Sequence, residues 1–207
     1  MGSSTILDIL ASTIVAGLLL LIELRLDAQA SETSTTYNMN FLVQREMTAL
    51  VSIVENDFRK LGYCKNVDDP KITDPTGYIR TADTSSISFY TDTQNAGVVD
   101  SLKWYVGSTN ELTDTPNPND RYIYRQINTG TAQKMNLGVT QFYFKYYDAN
   151  GALLPTPLVA PTGIWEMQIM INVQSPAPIV QQYNPDPYAF QMMWRQLRIA
   201  SRNLRNR

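Results

Sequence analysis

The chain has 207 residues, of which 43% are hydrophobic and 17% are charged, and its formal net charge is −2. These proportions fit a folded body rather than a disordered chain, and the weak negative charge argues against a nucleic-acid partner. The sequence contains no histidine, the commonest general base and metal ligand, and no Gly-rich phosphate loop. We therefore predict that the protein is not an enzyme and that it needs no cofactor.

The first 27 residues contain an apolar segment that is interrupted near its start by one acid, Asp8. The segment runs from Ile6 to Ile22, about 25 Å as a helix, and Leu24 and Leu26 can extend it toward the ~30 Å that a membrane core requires. A carboxylate in such surroundings is costly unless it has a partner. We expect Asp8 to have one, in this chain or in another.

Two interpretations of this segment rest on the first 30 residues alone. In the first it is a secretory signal peptide, because Ala28-Gln29-Ala30 has the small-x-small form of a cleavage site and the mature chain would then begin at Ser31. No Lys or Arg precedes the apolar run, however, and Glu23 and Arg25 separate it from that site. In the second interpretation the segment is an ordinary membrane anchor. The protein would then be a membrane-tethered extracytoplasmic binding module that does not polymerise.

Residues 28–62 predict a continuation of the helix that is apolar on one side only. Its apolar side chains recur every three or four residues, the spacing of one helix face: Met39, Val43, Met47, Leu50, Val54, Phe58 and Leu61. The other face is predicted to carry the polar residues Gln44, Arg45, Glu46, Glu55, Asp57, Arg59 and Lys60. Gly62 stands where a left-handed residue commonly ends a helix. Since residues 28–38 contain neither Pro nor Gly, one long helix is expected.

These two segments together resemble the type IV pilins and pseudopilins. A short leader, a polar start, an early acid and a long helix that runs into a β domain are features of that family. Two stretches resemble its large minor members, the W and J types. One is the end of the helix, from Gln44-Arg45-Glu46 through Asn56-Asp57-Phe58-Arg59-Lys60-Leu61-Gly62-Tyr63, and the other is Arg202-Asn203-Leu204. The resemblance implies a structural subunit, a minor one, of a type IV pilus-like or type II secretion pseudopilus filament.

The resemblance also implies partners and residue roles. The partners are other pilin-like subunits, the cytoplasmic membrane, a prepilin peptidase and the assembly machinery. Cleavage after Gly2 makes Asp8 the sixth mature residue, and cleavage after Ser3 makes it the fifth. Gly2 and Ser3 are therefore the candidate processing residues. Asp8 would then pair with the free amino terminus of a neighbouring subunit and set its register. The implied location is a single-pass inner-membrane protein with a periplasmic or extracellular domain, which later joins the filament.

Residues 63–207 alternate at period two and predict an antiparallel β domain. The predicted strands are Ser86–Thr91, Ser101–Val106, Tyr122–Ile127, Thr140–Tyr147, Trp165–Val173 and Phe190–Ile199. Residues 65–77 are predicted as a loop, in which Asp68, Asp69 and Asp74 are weak calcium candidates. The predicted fold is α+β, with the helix stripe buried on the dry face of the sheet.

Overall fold

The computed structural model describes residues 2–74, 77–158, 161–179 and 189–200. Over these residues the chain forms two helices and eight strands. In chain order they are α1 Gly2–Arg59, α2 Pro70–Thr73, β1 Ile79–Ala82, β2 Ser86–Thr91, β3 Asp100–Val106, β4 Arg121–Ile127, β5 Gln133–Tyr147, β6 Leu153–Leu154, β7 Glu166–Gln174 and β8 Met192–Ile199. The predicted α+β arrangement is confirmed, because α1 packs on an antiparallel sheet.

The sheet is an antiparallel meander in the order β1-β2-β3-β4-β5-β7-β8, and the two-residue β6 pairs with the end of β5. Strands that follow one another in an antiparallel sheet need only short connections. The register aligns apolar residues in rows across the strands. Phe144 on β5 lies opposite Ile169 on β7, which lies opposite Leu197 on β8. Such rows form one dry face of the sheet.

The second half of α1 covers this dry face. Six residues of the predicted stripe are at most 2% exposed, namely Val43, Met47, Leu50, Val54, Phe58 and Leu61, and Met39 is half-buried. The helix also continues without a break through residues 28–38, as expected. Packing of an apolar stripe against a sheet stabilises a helix far more than residue propensity does, so this contact determines where α1 is held.

The assignment of Asp57 to the exposed face of α1 is wrong. Asp57 is 4% exposed and lies against β3 and β4, where Trp104 and Arg125 donate hydrogen bonds to its carboxylate. Asp57 lies seven residues after Leu50 and three after Val54, so helical spacing places it at the edge of the apolar face. Helical spacing gives the direction of a side chain near such a boundary, and the tertiary partner determines whether it is buried.

The β domain differs from prediction in its short or irregular parts. β5 begins at Gln133, well before the predicted Thr140, because a bulge next to Gly138 interrupts the alternation without ending the strand. β1 and β6 were not predicted, and Pro70–Thr73 forms a single helical turn inside the predicted loop. Elements of two to four residues are too short to establish a period.

The remaining strand predictions are confirmed to within one or two residues at either end by β2, β3, β4, β7 and β8. Strict alternation over six or more residues is the signal that identified them. The stretch Arg202-Asn203-Leu204, which carries part of the family resemblance, lies outside the described residues.

Gly62 follows the C-terminal end of α1 and has a left-handed backbone conformation, which is unfavourable for residues other than glycine. Its φ is +68°, and a Cβ at this position would lie 2.8 Å from the ring of Tyr78. We expect Gly62→Ala to lower the free energy of unfolding by about 1–3 kcal/mol, because left-handed strain and the ring clash add. Urea unfolding of the full-length protein in detergent micelles measures this loss.

A matched control separates the two causes. Gly151 has φ +78°, and a Cβ there would meet nothing within 4 Å. Gly151→Ala therefore carries the backbone strain without the clash and should lose less stability. Equal losses in the two variants would contradict a role for the Tyr78 contact.

Candidate functional site on the exposed half of the N-terminal helix

Residues 2–30, which we call the N-terminal half of α1, pack against none of the described residues of the β domain. Every one of these side chains is exposed. The 58-residue helix is about 87 Å long, so roughly half of that length has no contact that buries it. Sequence alone predicts that this half is apolar, and the structure adds that the core of the domain does not take it up.

The exposed surface of the N-terminal half is apolar on all sides. Its large hydrophobic residues are each 54–66% exposed: Ile6, Leu7, Ile9, Leu10, Ile14, Val15, Leu18, Leu19, Leu20, Leu21, Ile22, Leu24 and Leu26. Five of them, residues 18–22, are consecutive and therefore point in every direction around the helix. Monomeric soluble proteins rarely expose a continuous apolar surface of this extent, and such surfaces mark contacts with membranes or other proteins.

This helix is long and apolar enough to cross a membrane, and it is the one helix of that kind in the described part of the chain. None of its most apolar window is buried, which distinguishes it from the core helix of a soluble domain. A signal sequence near an N-terminus would meet the same criteria of length and composition. The chain therefore has one candidate membrane-spanning helix.

Asp8 is the only charged residue between residues 2 and 22, and it is exposed. It makes no hydrogen bond or ion pair with the residues that the structure describes. The neighbouring hydroxyls of Ser12 and Thr13 are satisfied within the helix, since both donate to the carbonyl of Ile9. A carboxylate in lipid or in a bundle of apolar helices is costly without a partner, and no described residue supplies one to Asp8.

The predicted processing residues, Gly2 and Ser3, lie at the start of α1 and are exposed. The described structure brings neither of them to the β domain. They share the exposed, apolar half of the helix with Asp8.

The other end of α1 is fixed to the sheet by an ion pair. Arg125 donates from Nε to Oδ2 of Asp57 at 2.6 Å and from Nη2 to Oδ1 at 3.1 Å. Trp104 donates from Nε1 to Oδ2 at 3.0 Å. A bidentate, charge-assisted ion pair constrains the relative orientation of its two side chains as well as stabilising their contact. It therefore sets the rotation of α1 about its axis and the direction in which its N-terminal half leaves the domain. The sequence patterns predict neither Arg125 nor Trp104 as a partner of Asp57.

The solvent-facing side of the sheet carries a second candidate surface, the outer tyrosine row of Tyr105, Tyr122 and Tyr124. The rings of Tyr105 and Tyr124 stack with centroids 4.8 Å apart, and Lys134 Nζ lies 3.9 Å from the ring centroid of Tyr122. The hydroxyl of Tyr124 donates to Glu111 at 2.7 Å, a bond that raises the pKa of Tyr124 to about 12. The row is half-exposed, with Lys103 and Lys134 over its rings and the Glu111 carboxylate at Tyr124.

The calcium candidates of residues 65–77 do not converge. No three His, Cys, Asp or Glu side chains surround a common point within the described ranges, and Asp68, Asp69 and Asp74 form no such group. Asp69 instead caps α2, because its Oδ1 accepts from the backbone N–H of Lys71 at 2.9 Å. An aspartate that satisfies a helix N-terminus in this way has a structural explanation.

Comparison with known proteins assigns no family to the chain. No family model matches the sequence, and no curated protein matches it. The features of the described chain that bear on function are the exposed apolar half of α1 and Asp8.

Proposed function

We propose that the protein is a minor structural subunit of a type IV pilus-like or type II secretion pseudopilus filament. The observation that supports this proposal is the contrast within α1, whose second half is buried on the sheet and whose N-terminal half is exposed and apolar all round. Such a helix is stable in lipid and also among similar helices, where close side-chain packing replaces contacts with lipid tails. The same segment can therefore serve as an anchor before assembly and as filament core afterwards.

In this proposal the helix first crosses the cytoplasmic membrane once, with the β domain on the periplasmic or extracellular side. A prepilin peptidase cleaves after Gly2 or Ser3 and creates a free amino terminus. Asp8 of one subunit then pairs with the new ammonium group of its neighbour as the assembly machinery moves the subunit out of the bilayer. Because a buried charge is compensated only in the correct register, the pair selects that register.

Replacing Asp8 with Ala is expected to leave the β domain folded and membrane insertion intact, and to lower incorporation into filaments at least about tenfold. A tenfold change corresponds to 1.4 kcal/mol, a modest value for an ion pair in apolar surroundings. Immunoblotting of sheared filaments against the membrane fraction measures incorporation. Asp8→Glu keeps the carboxylate and should retain partial incorporation, and Ser12→Ala controls for a neutral change one turn away. Normal filaments from Asp8→Ala would refute the role of this residue.

The mature N-terminus provides an independent test of the proposal. Intact mass or amino-terminal sequencing of the native protein should show a chain that begins at Ser3 or Ser4. A chain that begins at Ser31 would mean that the apolar helix is removed on export, and the filament proposal would then be wrong.

The second candidate function is a membrane-tethered binding module that does not polymerise. The outer tyrosine row favours it, because stacked tyrosines next to lysine form an exposed surface that the core of the domain does not use. Cysteine cross-linking discriminates the two functions. A Leu19→Cys variant of a filament subunit should cross-link to neighbouring subunits through the helix, whereas a solitary module should stay monomeric.

A further inference from the structure

The face of the sheet that points away from α1 carries exposed cations on strands β1 to β5. Trp104 of β3 is buried beneath α1, so the alternate residues Lys103 and Tyr105 of that strand point outward. Lys134 on β5 belongs to the same outer face, because it lies opposite Tyr124 on β4, which in turn lies opposite Tyr105. The outer face thus combines lysines with the outer tyrosine row.

Three cations of this face are each held over a tyrosine ring. The distances to the ring centroid are 5.1 Å for Lys103 Nζ over Tyr105, 5.4 Å for Arg80 Cζ over Tyr90 and 3.9 Å for Lys134 Nζ over Tyr122. Tyr90 shares the face, since it is two residues from Ser88, which lies opposite Lys103. A cation within about 6 Å of a ring centroid is attracted by the ring. These contacts restrain long side chains before any ligand arrives, which lowers the entropic cost of binding.

The charge of these cations is only partly compensated. All three are exposed, and none forms an ion pair with a described residue. One acid, Glu111, lies at the row, where its carboxylate accepts from the hydroxyl of Tyr124 and from the backbone N–H of Ser108. These bonds and the charge of Lys134 hold the pKa of Glu111 below its ordinary value. Three positive charges and one negative charge leave this group at +2, although the whole chain has a formal net charge of −2.

The charged and hydrogen-bonding side chains form a strip that runs across the strands. The register places them in two adjacent cross-strand rows, one of Ser88, Lys103 and Gln126 and the other of Ser86, Tyr105, Tyr124 and Lys134. Arg80 on β1 extends the strip beyond β2 through its contact with Tyr90. Neighbouring strands are about 4.8 Å apart, so the four steps from β1 to β5 span roughly 19 Å. We call these two rows and Arg80 the cationic strip.

We propose that the cationic strip binds an acidic polysaccharide, a chain of sugars with carboxylates at regular intervals. Charge complementarity favours an anionic ligand, and a strip of roughly 19 Å suits an extended polymer rather than a small ion. Arginine and lysine pair with carboxylates, while the amide of Gln126 and the tyrosine hydroxyls match the hydroxyl groups of sugars. This gives the second candidate function a ligand class but does not depend on it, because a filament subunit can display the same strip.

A single-stranded nucleic acid, another extended polyanion, fits the strip less well. Proteins that bind such strands offer free aromatic faces on which the bases stack. Here the rings of Tyr105 and Tyr124 stack on each other, with 9° between their planes, and lysines lie over Tyr105 and Tyr122. The negative charge of the whole chain also opposes a ligand as densely charged as nucleic acid. The strip therefore favours contacts through cations and hydroxyls over contacts through ring faces.

The test measures binding of the full-length protein in detergent micelles to immobilised alginate, a polymer of uronic acids. Binding should saturate, and it should weaken as the salt concentration rises. Lys103→Gln should lower the affinity about fivefold, and Lys103→Gln combined with Lys134→Gln at least about tenfold. Lys103→Arg keeps the charge and should bind as the unaltered protein does. The matched control is Lys65→Gln, which removes an exposed lysine outside the strip and should leave the affinity unchanged.

Three comparison ligands separate this proposal from its alternatives. Neutral dextran, an oligothymidylate strand and phosphatidylglycerol vesicles should each bind at least about tenfold more weakly than alginate. Equal or tighter binding of any of the three would overturn the proposal, as would a lack of saturable binding to alginate or equal losses in Lys65→Gln and Lys103→Gln. Because these lysines are exposed, their variants should keep the Tm of the unaltered protein, so a lost affinity is not a loss of folding. A failed binding test would leave the filament proposal unaffected, since incorporation is measured separately.

Discussion

Replacement of Asp57 by Ala is expected to lower the free energy of unfolding by about 3–5 kcal/mol, the usual cost of breaking a buried ion pair by removing one partner. The variant leaves the guanidinium of Arg125 and the indole N–H of Trp104 without their acceptor beneath α1. Trp104 is 0% exposed, so its indole nitrogen has no access to bulk water. The penalty of these unsatisfied donors dominates the loss.

Denaturant unfolding of the full-length protein in micelles measures this effect. The matched control is Glu55→Ala, which breaks the 3.4 Å pair with Arg59 on the same helix, where the Arg59 side chain is 77% exposed. An exposed helix pair contributes only about 0.3–0.5 kcal/mol, so the control should change little. Similar losses in the two variants would contradict the structural role assigned to Asp57. A double-mutant cycle with Arg125→Ala would isolate the coupling between the two charges.

Replacement of Phe58 by Ala is expected to cost about 3–5 kcal/mol as well, through a cavity rather than through charge. Phe58 is 0% exposed, and its ring lies 5.1 Å from that of Phe89, 5.8 Å from that of Phe144 and 6.3 Å from that of Trp104. Removal of the ring takes away contacts with three strands at once. The surrounding rings are held by the sheet and can fill the space only in part.

The chain offers a control of the same residue type on the same helix. Phe41 is 61% exposed, so Phe41→Ala should change the free energy of unfolding by less than about 0.5 kcal/mol. Both variants are compared by denaturant unfolding, with near-ultraviolet circular dichroism to follow the packing of Trp104. A loss in Phe41→Ala as large as that in Phe58→Ala would show that α1 is held differently from the described packing.

The two halves of α1 should contribute to different properties, the buried half to the stability of the fold and the exposed half to incorporation into filaments. Asp57→Ala and Phe58→Ala act on the half of the helix that is buried on the sheet, so they should weaken folding of the β domain. Asp8→Ala acts on the half that contacts no part of the domain, so it should change incorporation without changing the unfolding curve. A coincident loss of folding in all three variants would contradict this division of the helix.

The parts of the fold that sequence predicted are those with a long, regular period. Alternation predicted the strand β7, in which Met167, Ile169, Ile171 and Val173 are buried, and helical spacing predicted the stripe of α1. The parts that it missed lack such a period. β6 has two residues, and the bulge at Gly138 shifts the phase of β5 so that its first half no longer matches its second. The assembly role of Asp8 rests on its chemistry and stays a prediction.

The local sequence pattern predicts the apolar character of the N-terminal half of α1, the buried side of its second half and most of the strands. Bond geometry sends every third or fourth helical side chain, and every second strand side chain, in one direction. Which distant groups come into contact follows from the tertiary structure. Asp57 and Arg125 are 68 residues apart, and Glu46 on α1 lies beside Gly138 on β5. These contacts depend on strand order and on the position of the helix across the sheet, and no local period encodes either of them.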